Sequence, residues 1–533
     1  MKKNNKVMSF EDVIGNVEIK DNVIITPDKR YVTIVEIAPI NFDYKTALDK
    51  EKIIDGFAQL TKIGPVTMQI KSLSRRADVN KYINVLNHDF ALEKDSHLKP
   101  YQDDYMRLIK RLGVYSGLSR RFFIVLEACG NDTEKIKSFD DAVYYLDKAK
   151  QTIRRFIRNC GNAVIRHGDE KNFLINTLYE FANKNKTIYD LKERKQAFYD
   201  EAKRITDNDE ELLDNFNVPV STLVSPEKIE FYSEYCVVDG TYYSFLYIPS
   251  KEYPSRISYA WLTGIICGAE GIDVDIFVDK KDSKSMKNKL RTKIRINKAR
   301  MNTMKNTEGE NYEEIGKSIQ SSAYIRNRLN SGEDFFYVTT MFTLSASSLE
   351  ELYEKNSAVK DMFGAIDVDL NECEYKIKEA FSSYMPLNTL DPYIYGKGKR
   401  NMTTSGLSAF YPFNSFEVSD TDGILLGISD NKTMLVIDNF DTSKYSNANI
   451  TLLGTSGAGK TFTLQTMCLR FRLKGVQTFV IAPIKGDEYE RGCKEVNGEF
   501  LTISSGSKTR INIMEIRPSA DENAKKLGYS SKR

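Results

Sequence analysis

The spacing of apolar residues along the chain predicts one series of elements that occurs twice. In each series a strand, a helix and a second strand precede a long polar insert, and a strand, a helix, a short strand and a helix follow it. The first series is predicted as strand 31–40, helix 47–61, strand 66–70, insert 74–117, strand 122–128, helix 140–157, strand 163–166 and helix 172–183. The second is predicted as strand 242–248, helix 257–267, strand 272–278, insert 279–331, strand 335–344, helix 349–362, strand 365–369 and helix 373–384. Two split β-α-β units make up a ferredoxin-like domain, so the pattern predicts two ferredoxin-like α+β copies with helical inserts.

A third region combines an apolar strand, a glycine-rich loop and a helix. The predicted strand 450–453 leads into Gly-Thr-Ser-Gly-Ala-Gly-Lys-Thr at 454–461, which is a complete Walker A motif. Apolar residues at helical spacing follow the loop, and a second strand is predicted at 478–483. These features predict an incomplete α/β RecA-like P-loop NTPase domain.

The motif also defines the candidate site residues. Glycines let the backbone curl so that successive N–H groups point at phosphate oxygens. Lys460 is predicted to reach the β- and γ-phosphates and Thr461 to ligate Mg²⁺, so ATP and Mg²⁺ are the predicted cofactors. A glycine-rich turn that binds nothing is the alternative. The predicted nucleotide-binding residues are Gly454, Thr455, Ser456, Gly457, Ala458, Gly459, Lys460, Thr461 and Phe462.

Domain boundaries are predicted from the shifts between these patterns. The two copies lie on either side of a charged stretch, and the P-loop region comes last. The predicted divisions are an N-terminal α+β domain at 1–184, a charged linker at 185–229, a second α+β copy at 230–390 with the basic insert 279–331, and a partial P-loop NTPase domain at 391–533.

Charge is balanced over the whole chain but not locally. With 77 basic and 74 acidic residues the formal net charge is +3, which argues against a general electrostatic nucleic-acid binder. Residues 280–305 are strongly basic, and Asp282 is their only acid. This run indicates either a solvated helical face or a contact with DNA phosphates or an anionic membrane surface.

Cysteine and hydropathy patterns narrow the class of protein. The seven cysteines are far apart and the chain has three histidines, so neither a disulfide framework nor a metal site is predicted. No run approaches the 18 or more apolar residues of a membrane span, because the best one covers only 261–268. A reducing, cytoplasmic environment is therefore expected.

Several segments around the Walker A motif support a family resemblance. They are 402–413, 423–428 and 434–438 before the loop, and 481–489, 497–498 and 510–513 after it. Through these segments the chain resembles the conjugative type IV secretion ATPases of the CagE/TrbE/VirB family, which include the TraC/TraE-like conjugal transfer proteins. The resemblance implies a P-loop ATPase that forms a homo-oligomeric ring, contacts channel subunits and lies in the cytoplasm at the inner face of the cell membrane.

The resemblance also nominates Glu488 as a catalytic residue beside Lys460. Glu488 matches the family's glutamate after the second strand, and a glutamate there can orient the attacking water. A surface acid next to Asp487 is the alternative. Ala482-Pro483 stands where the family usually has Asp-Pro.

No hydrophobic run ending in Asp-Glu, the Walker B pattern, occurs after Thr461. We therefore expect the N-terminal part of a longer motor, which hydrolyses ATP poorly by itself and exposes the apolar edge of an unfinished sheet. The expected function is the ATP-binding component of a conjugative type IV secretion machine, energising channel assembly or transfer of DNA or protein. The alternatives are a HerA/FtsK-type DNA translocase or coupling protein, and a nonenzymatic structural subunit of the channel.

Overall fold

The chain folds into two compact units of mixed α+β structure, which confirms the predicted class at that level. The first unit comprises 1–77, 118–417 and 430–433, and the second comprises 78–117, 418–429 and 434–533. The computed structural model describes residues 6–43, 45–63, 67–76, 80–116, 118–128, 136, 138–205, 218–254, 257–268, 271–303, 310–415, 420, 422–428, 434–442, 445, 447–483, 486–504, 507 and 509. The segment 510–513, part of the family resemblance, lies outside the described residues.

An antiparallel sheet forms the centre of the first unit. Its order is β1-β8-β9-β10-β12-β11-β5-β6-β4-β3-β2, with β7 beside β4, β13 beside β10 and β14 beside β12. The strands are β1 Lys6–Met8, β2 Glu18–Lys20, β3 Val23–Ile25, β4 Tyr31–Ala38, β5 Thr67–Arg76, β6 Leu118–Glu127, β7 Ala163–Val164, β8 Ile229–Phe231, β9 Cys236–Val238, β10 Thr241–Tyr247, β11 Ile272–Lys281, β12 Phe335–Ala346, β13 Asn371–Glu372 and β14 Arg400–Thr403.

Helices cover this sheet, and others build the second unit. Those of the first unit are α1 Phe10–Ile14, α2 Ala47–Ile63, α5 Phe139–Phe156, α6 Glu170–Ala182, α7 Ile188–Ile205, α8 Val220–Val224, α9 Thr263–Gly268, α10 Ser283–Thr303, α11 Glu310–Asn330, α12 Leu349–Gly364, α13 Ile377–Tyr384, α14 Pro392–Gly398 and α15 Thr404–Ser408. Those of the second unit are α3 Asn80–Leu92, α4 Lys99–Ser116, α16 Lys460–Leu473 and α17 Asp487–Glu495.

Both faces of the sheet are buried, as the sequence of β6 illustrates. Phe122 and Ile124 point into one hydrophobic cluster, while Phe123 and Val125 point into another on the opposite face. Helices α2, α5 and α12 contribute to the first cluster, and α6 and α13 contribute to the second. A strand covered on both sides is apolar at consecutive positions, which explains the unbroken apolar run in β6.

The two predicted series have the same strand order. The first runs β7-β4-β6-β5 and the second runs β13-β10-β12-β11. The copies join where β5 pairs antiparallel with β11, and Lys71 lies opposite Asp275 there. These two buried side chains form an ion pair, so each buried charge at the join has an opposite charge beside it.

Two predicted elements of the second copy differ from the structure. The helix predicted at 257–267 begins only at Thr263, because Ala260 has a φ of +55° and interrupts helical backbone. The strand predicted at 365–369 is a turn in which Asp367 has a φ of +57°, and strand β13 follows at Asn371–Glu372.

The second unit joins the predicted insert of the first copy to the P-loop region. Between β5 and β6, α3 and α4 pack on a hairpin of β15 Ile424–Ile428 and β16 Met434–Ile437 and on α16. The shared core includes Leu86 and Ile109 from the insert, Val436 from β16 and Leu473 from α16. No helix in the described ranges is both long and apolar enough to span a membrane.

The strands predicted at 450–453 and 478–483 do not form. Both segments lack strand structure, and no ladder among the described residues includes them. Their apolar side chains face solvent, with Leu453, Phe479 and Ile481 exposed by 90%, 83% and 93%. A parallel strand is stabilised by neighbouring strands, so these segments have the sequence of buried strands without the pairing.

Candidate nucleotide site

The loop at 454–459 curls through two glycines that have left-handed backbone conformation. Gly457 and Gly459 have φ values of +81° and +86°, a region that residues with a Cβ avoid. A Cβ on Gly454 would lie 3.2 Å from the Cβ of Ala458, so the two ends of the loop approach closely. The glycines predicted from the motif are therefore needed for two reasons, conformation at Gly457 and Gly459 and close packing at Gly454.

The Lys460 side chain bonds back to the loop that precedes it. Its ammonium donates hydrogen bonds to the carbonyl oxygens of Gly454 at 2.8 Å and Thr455 at 2.6 Å. A lysine ammonium has three donors, so one remains for an acceptor outside the chain. Lys460 thus holds the loop curled and still presents a positive charge at the start of α16.

The N-terminus of α16 provides further donors. Gly459 is the N-cap and has no side chain to accept from the first turn, and the first intrahelical bond runs from the Thr463 N–H to the Gly459 carbonyl at 2.9 Å. The N–H groups of Lys460, Thr461 and Phe462 precede that bond and have no partner within the helix. They lie at the positive end of the helix dipole, where anions bind favourably.

Thr461 and Phe462 differ in what they offer a ligand. Thr461 is half-buried in the first turn of α16, directly after Lys460. The ring of Phe462 is 74% exposed and contributes little to the core of this unit. Its predicted role in the site therefore rests on its backbone N–H.

The C-terminal end of α16 is fixed by the insert helices. Gln102 of α4 donates from Nε2 to the Leu473 carbonyl at 3.0 Å, which satisfies one of the last carbonyls of the helix. Next to it, Lys474 bonds Asp422 and, at 3.1 Å, Asp89 of α3. Burial lowers the pKa of Lys474, but these two hydrogen bonds outweigh burial and raise it above the ordinary lysine value.

Arg472 makes a second ionic contact with the insert. It pairs with Glu93 and, at 3.5 Å, with Asp95, both in the segment between α3 and α4. The Asp95 N–H and then Arg472 hold the pKa of Glu93 below its usual value. Sequence reasoning missed these partners because nearly 400 residues separate them, and no local pattern links Glu93 to Arg472.

A tyrosine pair attaches the hairpin to the same helices. The hydroxyls of Tyr82 and Tyr105 lie 2.9 Å apart, and Tyr105 accepts from the Leu425 N–H at 3.1 Å. Tyr82 donates to the Gly423 carbonyl at 3.2 Å. Burial and the neighbouring Tyr105 raise the pKa of Tyr82 far above its usual value, so the Tyr82 hydroxyl stays protonated.

The backbone of Glu488 contacts α16. Its carbonyl accepts from Nε2 of Gln465 at 2.7 Å, and Gln465 is one turn beyond Thr461. The Glu488 side chain is exposed in the first turn of α17, beside Asp487. The structure thus brings the Glu488 backbone to the flank of the P-loop helix, where its carbonyl contacts Gln465.

Together these groups fit a polyphosphate. The curled loop, the uncapped N–H groups of α16 and the Lys460 ammonium are all donors, which is the set that phosphate oxygens accept from. Thr461 adds a hydroxyl of the kind that ligates Mg²⁺ in such loops. No protein-family model matches this chain, and no curated protein matches it.

Proposed function

We propose that this chain is the ATP-binding component of a conjugative type IV secretion machine. The observation that supports the proposal most is the loop at 454–459, in which left-handed Gly459 precedes an uncapped helix start and the Lys460 ammonium lies beside the loop carbonyls. The segments 402–413, 423–428 and 434–438, which resemble the type IV secretion ATPases, link this loop to that family.

In this proposal each residue has a distinct role. The Ala458 N–H donates to the Thr455 carbonyl at 3.3 Å, and the other N–H groups from Thr455 to Phe462 donate to phosphate oxygens. The third donor of Lys460 binds the β- and γ-phosphates. The Thr461 hydroxyl ligates the metal. Bound Mg²⁺ would bridge the phosphates and neutralise charge that develops on them.

The fold gives the proposal weaker support. Each copy in the first unit has the strand order of a ferredoxin-like domain, with its fourth strand beside the first and its third between the first and second. We propose two ferredoxin-like copies that dock the protein to channel subunits in the cytoplasm, at the inner face of the membrane. We propose that the P-loop region is RecA-like and acts in a homo-oligomeric ring.

Turnover is a separate question from binding. The sequence contains no Walker B pattern after Thr461, and the exposed Glu488 is the acid that best matches the family's water-orienting glutamate. We therefore propose that the chain binds ATP and hydrolyses it slowly. The missing pattern also favours a second candidate, a nonenzymatic subunit that binds ATP as a structural ligand.

Titration with a fluorescent ATP analogue tests the site. We expect Lys460→Ala to weaken binding at least tenfold, while Lys494→Ala, on an exposed helix of the same unit, leaves it unchanged. Thr461→Val should abolish the enhancement of binding by Mg²⁺, and Thr461→Ser should retain it because the hydroxyl remains. Equal binding by the parent and Lys460→Ala would rule out the loop as the site.

A further inference from the structure

Helix α10 is an unusually basic element of the first unit. Between Ser283 and Thr303 it has eight cations and no acid. Within the described ranges, no carboxylate oxygen lies within 4 Å of the charged nitrogens of these eight side chains. These cations are Lys284, Lys287, Lys289, Arg291, Lys293, Arg295, Lys298 and Arg300.

The apolar side of α10 is already occupied. Met286 and Leu290 pack in a cluster with Leu329 of α11 and Phe335 of β12. Asn297 donates from Nδ2 to the hydroxyl of Ser318 on α11 at 3.1 Å. The helix is therefore fixed on the protein by one face, and the cations project from its other faces.

The cations are arranged in two unequal rows. Lys284, Lys287, Arg291, Arg295 and Lys298 follow one another at spacings of three or four residues, so they form one line along one flank of the helix. Four of these five are exposed and Lys287 is half-buried. The line is about 21 Å long at about 1.5 Å per residue. The other flank has the shorter row of Lys289, Lys293 and Arg300.

We infer that the line from Lys284 to Lys298 binds the phosphate backbone of duplex nucleic acid. A B-form duplex has one phosphate per about 1.7 Å of its axis when both strands are counted, so a helix flank about 21 Å long lies near enough phosphates for five cations. No acid on the helix opposes the contact. Recognition is independent of base sequence, because lysine and arginine contact phosphates rather than base edges.

Two other polyanions fit this surface less well. Single-stranded nucleic acid is bound mainly by stacking on aromatic side chains, and α10 has none. Membrane-surface helices insert an apolar face that contains Trp, Phe or Leu. In α10 the apolar face is packed inside the protein, and the outward positions between the rows have one large apolar residue, Ile296, among Asn288, Thr292 and Ala299.

The contact should depend strongly on salt. Five phosphate contacts release counterions, so the logarithm of the association constant should fall with the logarithm of salt concentration at a slope of about −4.5. Affinity should then fall several hundredfold between about 50 and about 200 mM salt. Removing three contacts should reduce the slope to about −2.

Two variants with equal charge loss on the same helix test the line. R291Q/R295Q/K298Q removes three cations of the line, and K289Q/K293Q/R300Q removes the opposite row; all six side chains are exposed. Binding to a labelled DNA duplex of about 20 base pairs, in two unrelated sequences, is measured by fluorescence anisotropy without nucleotide across that salt range. Circular dichroism establishes that both variants are folded.

We expect the line variant to bind at least tenfold more weakly with a shallower salt slope, and the opposite-row variant to remain within threefold of the parent. Equal losses in the two variants would overturn the linear contact, and so would a parent chain that does not bind the duplex. Vesicles containing phosphatidylserine are the second probe. Retention of the parent on vesicles but not on duplex would assign the line to a membrane and overturn the proposal.

Discussion

At the scale of single residues, backbone conformation decides whether the candidate site exists. Gly457 and Gly459 have left-handed φ values, and a Cβ at either position would meet no atom within 4 Å. Space therefore does not exclude a side chain there, and the constraint is conformational. A substitution at either glycine therefore changes the loop conformation without disturbing its packing.

Gly459→Ala should destabilise the loop by about 1 kcal/mol and weaken ATP binding, because alanine resists a φ of +86°. Gly492→Ala is the matched control, since Gly492 lies inside α17 and a Cβ added there would meet no neighbouring atom. That change should leave binding unaltered and slightly stabilise the helix. Calorimetric titration measures the ATP affinity of each variant. Equal affinities for Gly459→Ala and Gly492→Ala would contradict the loop conformation.

A pH-dependent contribution to stability is expected from Glu36. This carboxylate is 5% exposed and accepts hydrogen bonds from Nε and Nη2 of Arg121 at 2.6 and 2.8 Å. Burial raises its pKa, but Arg121 and His167 outweigh burial and lower it to about 2. A lowered pKa stabilises the fold above the unfolded value, so about 3 kcal/mol should be lost as pH falls from about 4.5 to about 2.

Glu36→Gln should lower the free energy of unfolding at neutral pH and flatten its dependence on pH in that acidic range. Glu51→Gln, at an exposed position of α2, is the control and should keep the parent profile. Urea denaturation at a series of pH values measures the effect. An unchanged acidic slope in the Glu36 variant would refute the assignment.

Local sequence predicted some residues of the candidate nucleotide site and its supporting contacts, and not others. Lys460 and Thr461 could be predicted because the Walker A motif places them in one continuous segment, where backbone geometry alone fixes their positions. Gln102 and Glu93 could not, because their contacts with Leu473 and Arg472 depend on how distant segments pack. A charge pattern on one helix does not indicate which helix it will meet.

At the scale of elements, the insert between β5 and β6 packs with the P-loop segment in the second unit, although β5 and β6 belong to the first. Its helices were predicted from polar helical spacing, but nothing in that spacing indicated that they belong to the second unit. The strands predicted at 450–453 and 478–483 do not form, because a strand must pair with neighbouring strands and a local pattern does not show whether those neighbours are present. Helices satisfy their own backbone hydrogen bonds and are predicted more readily.

Tyr105→Phe tests how the insert supports the hairpin. The substitution leaves the buried Leu425 N–H without its acceptor at 3.1 Å, which should cost about 1 to 3 kcal/mol of stability in the second unit. Tyr144→Phe, at a position 73% exposed, is the control and should have no measurable effect. Urea denaturation compares the two, and equal midpoints would contradict this support.

At the scale of the whole molecule, apolar surface is concentrated around the P-loop. Leu453, Phe479 and Ile481 are each at least 83% exposed, and such side chains favour self-association when they are grouped. We expect the triple change to threonine to increase the monomeric fraction without loss of stability, since these side chains bury little area. Threonine also retains strand propensity.

Size-exclusion chromatography measures that fraction. The control changes three other exposed residues, Leu48, Leu92 and Tyr144, to threonine and should leave the elution profile of the parent unaltered. An equal gain of monomer in both variants would mean that general hydrophobicity, rather than these segments, drives association.

The most direct test of the central claim is calorimetric titration of the purified chain with Mg-ATP, together with a phosphate-release assay on the same sample. The structure predicts saturable binding at one site per chain, lost in Lys460→Ala, with little or no phosphate release. Rapid phosphate release that disappears in Lys460→Ala and in Glu488→Gln would contradict slow hydrolysis. It would also identify Glu488 as the catalytic carboxylate. Absence of any binding heat, with no protection by Mg-ATP against thermal unfolding, would contradict the nucleotide site itself.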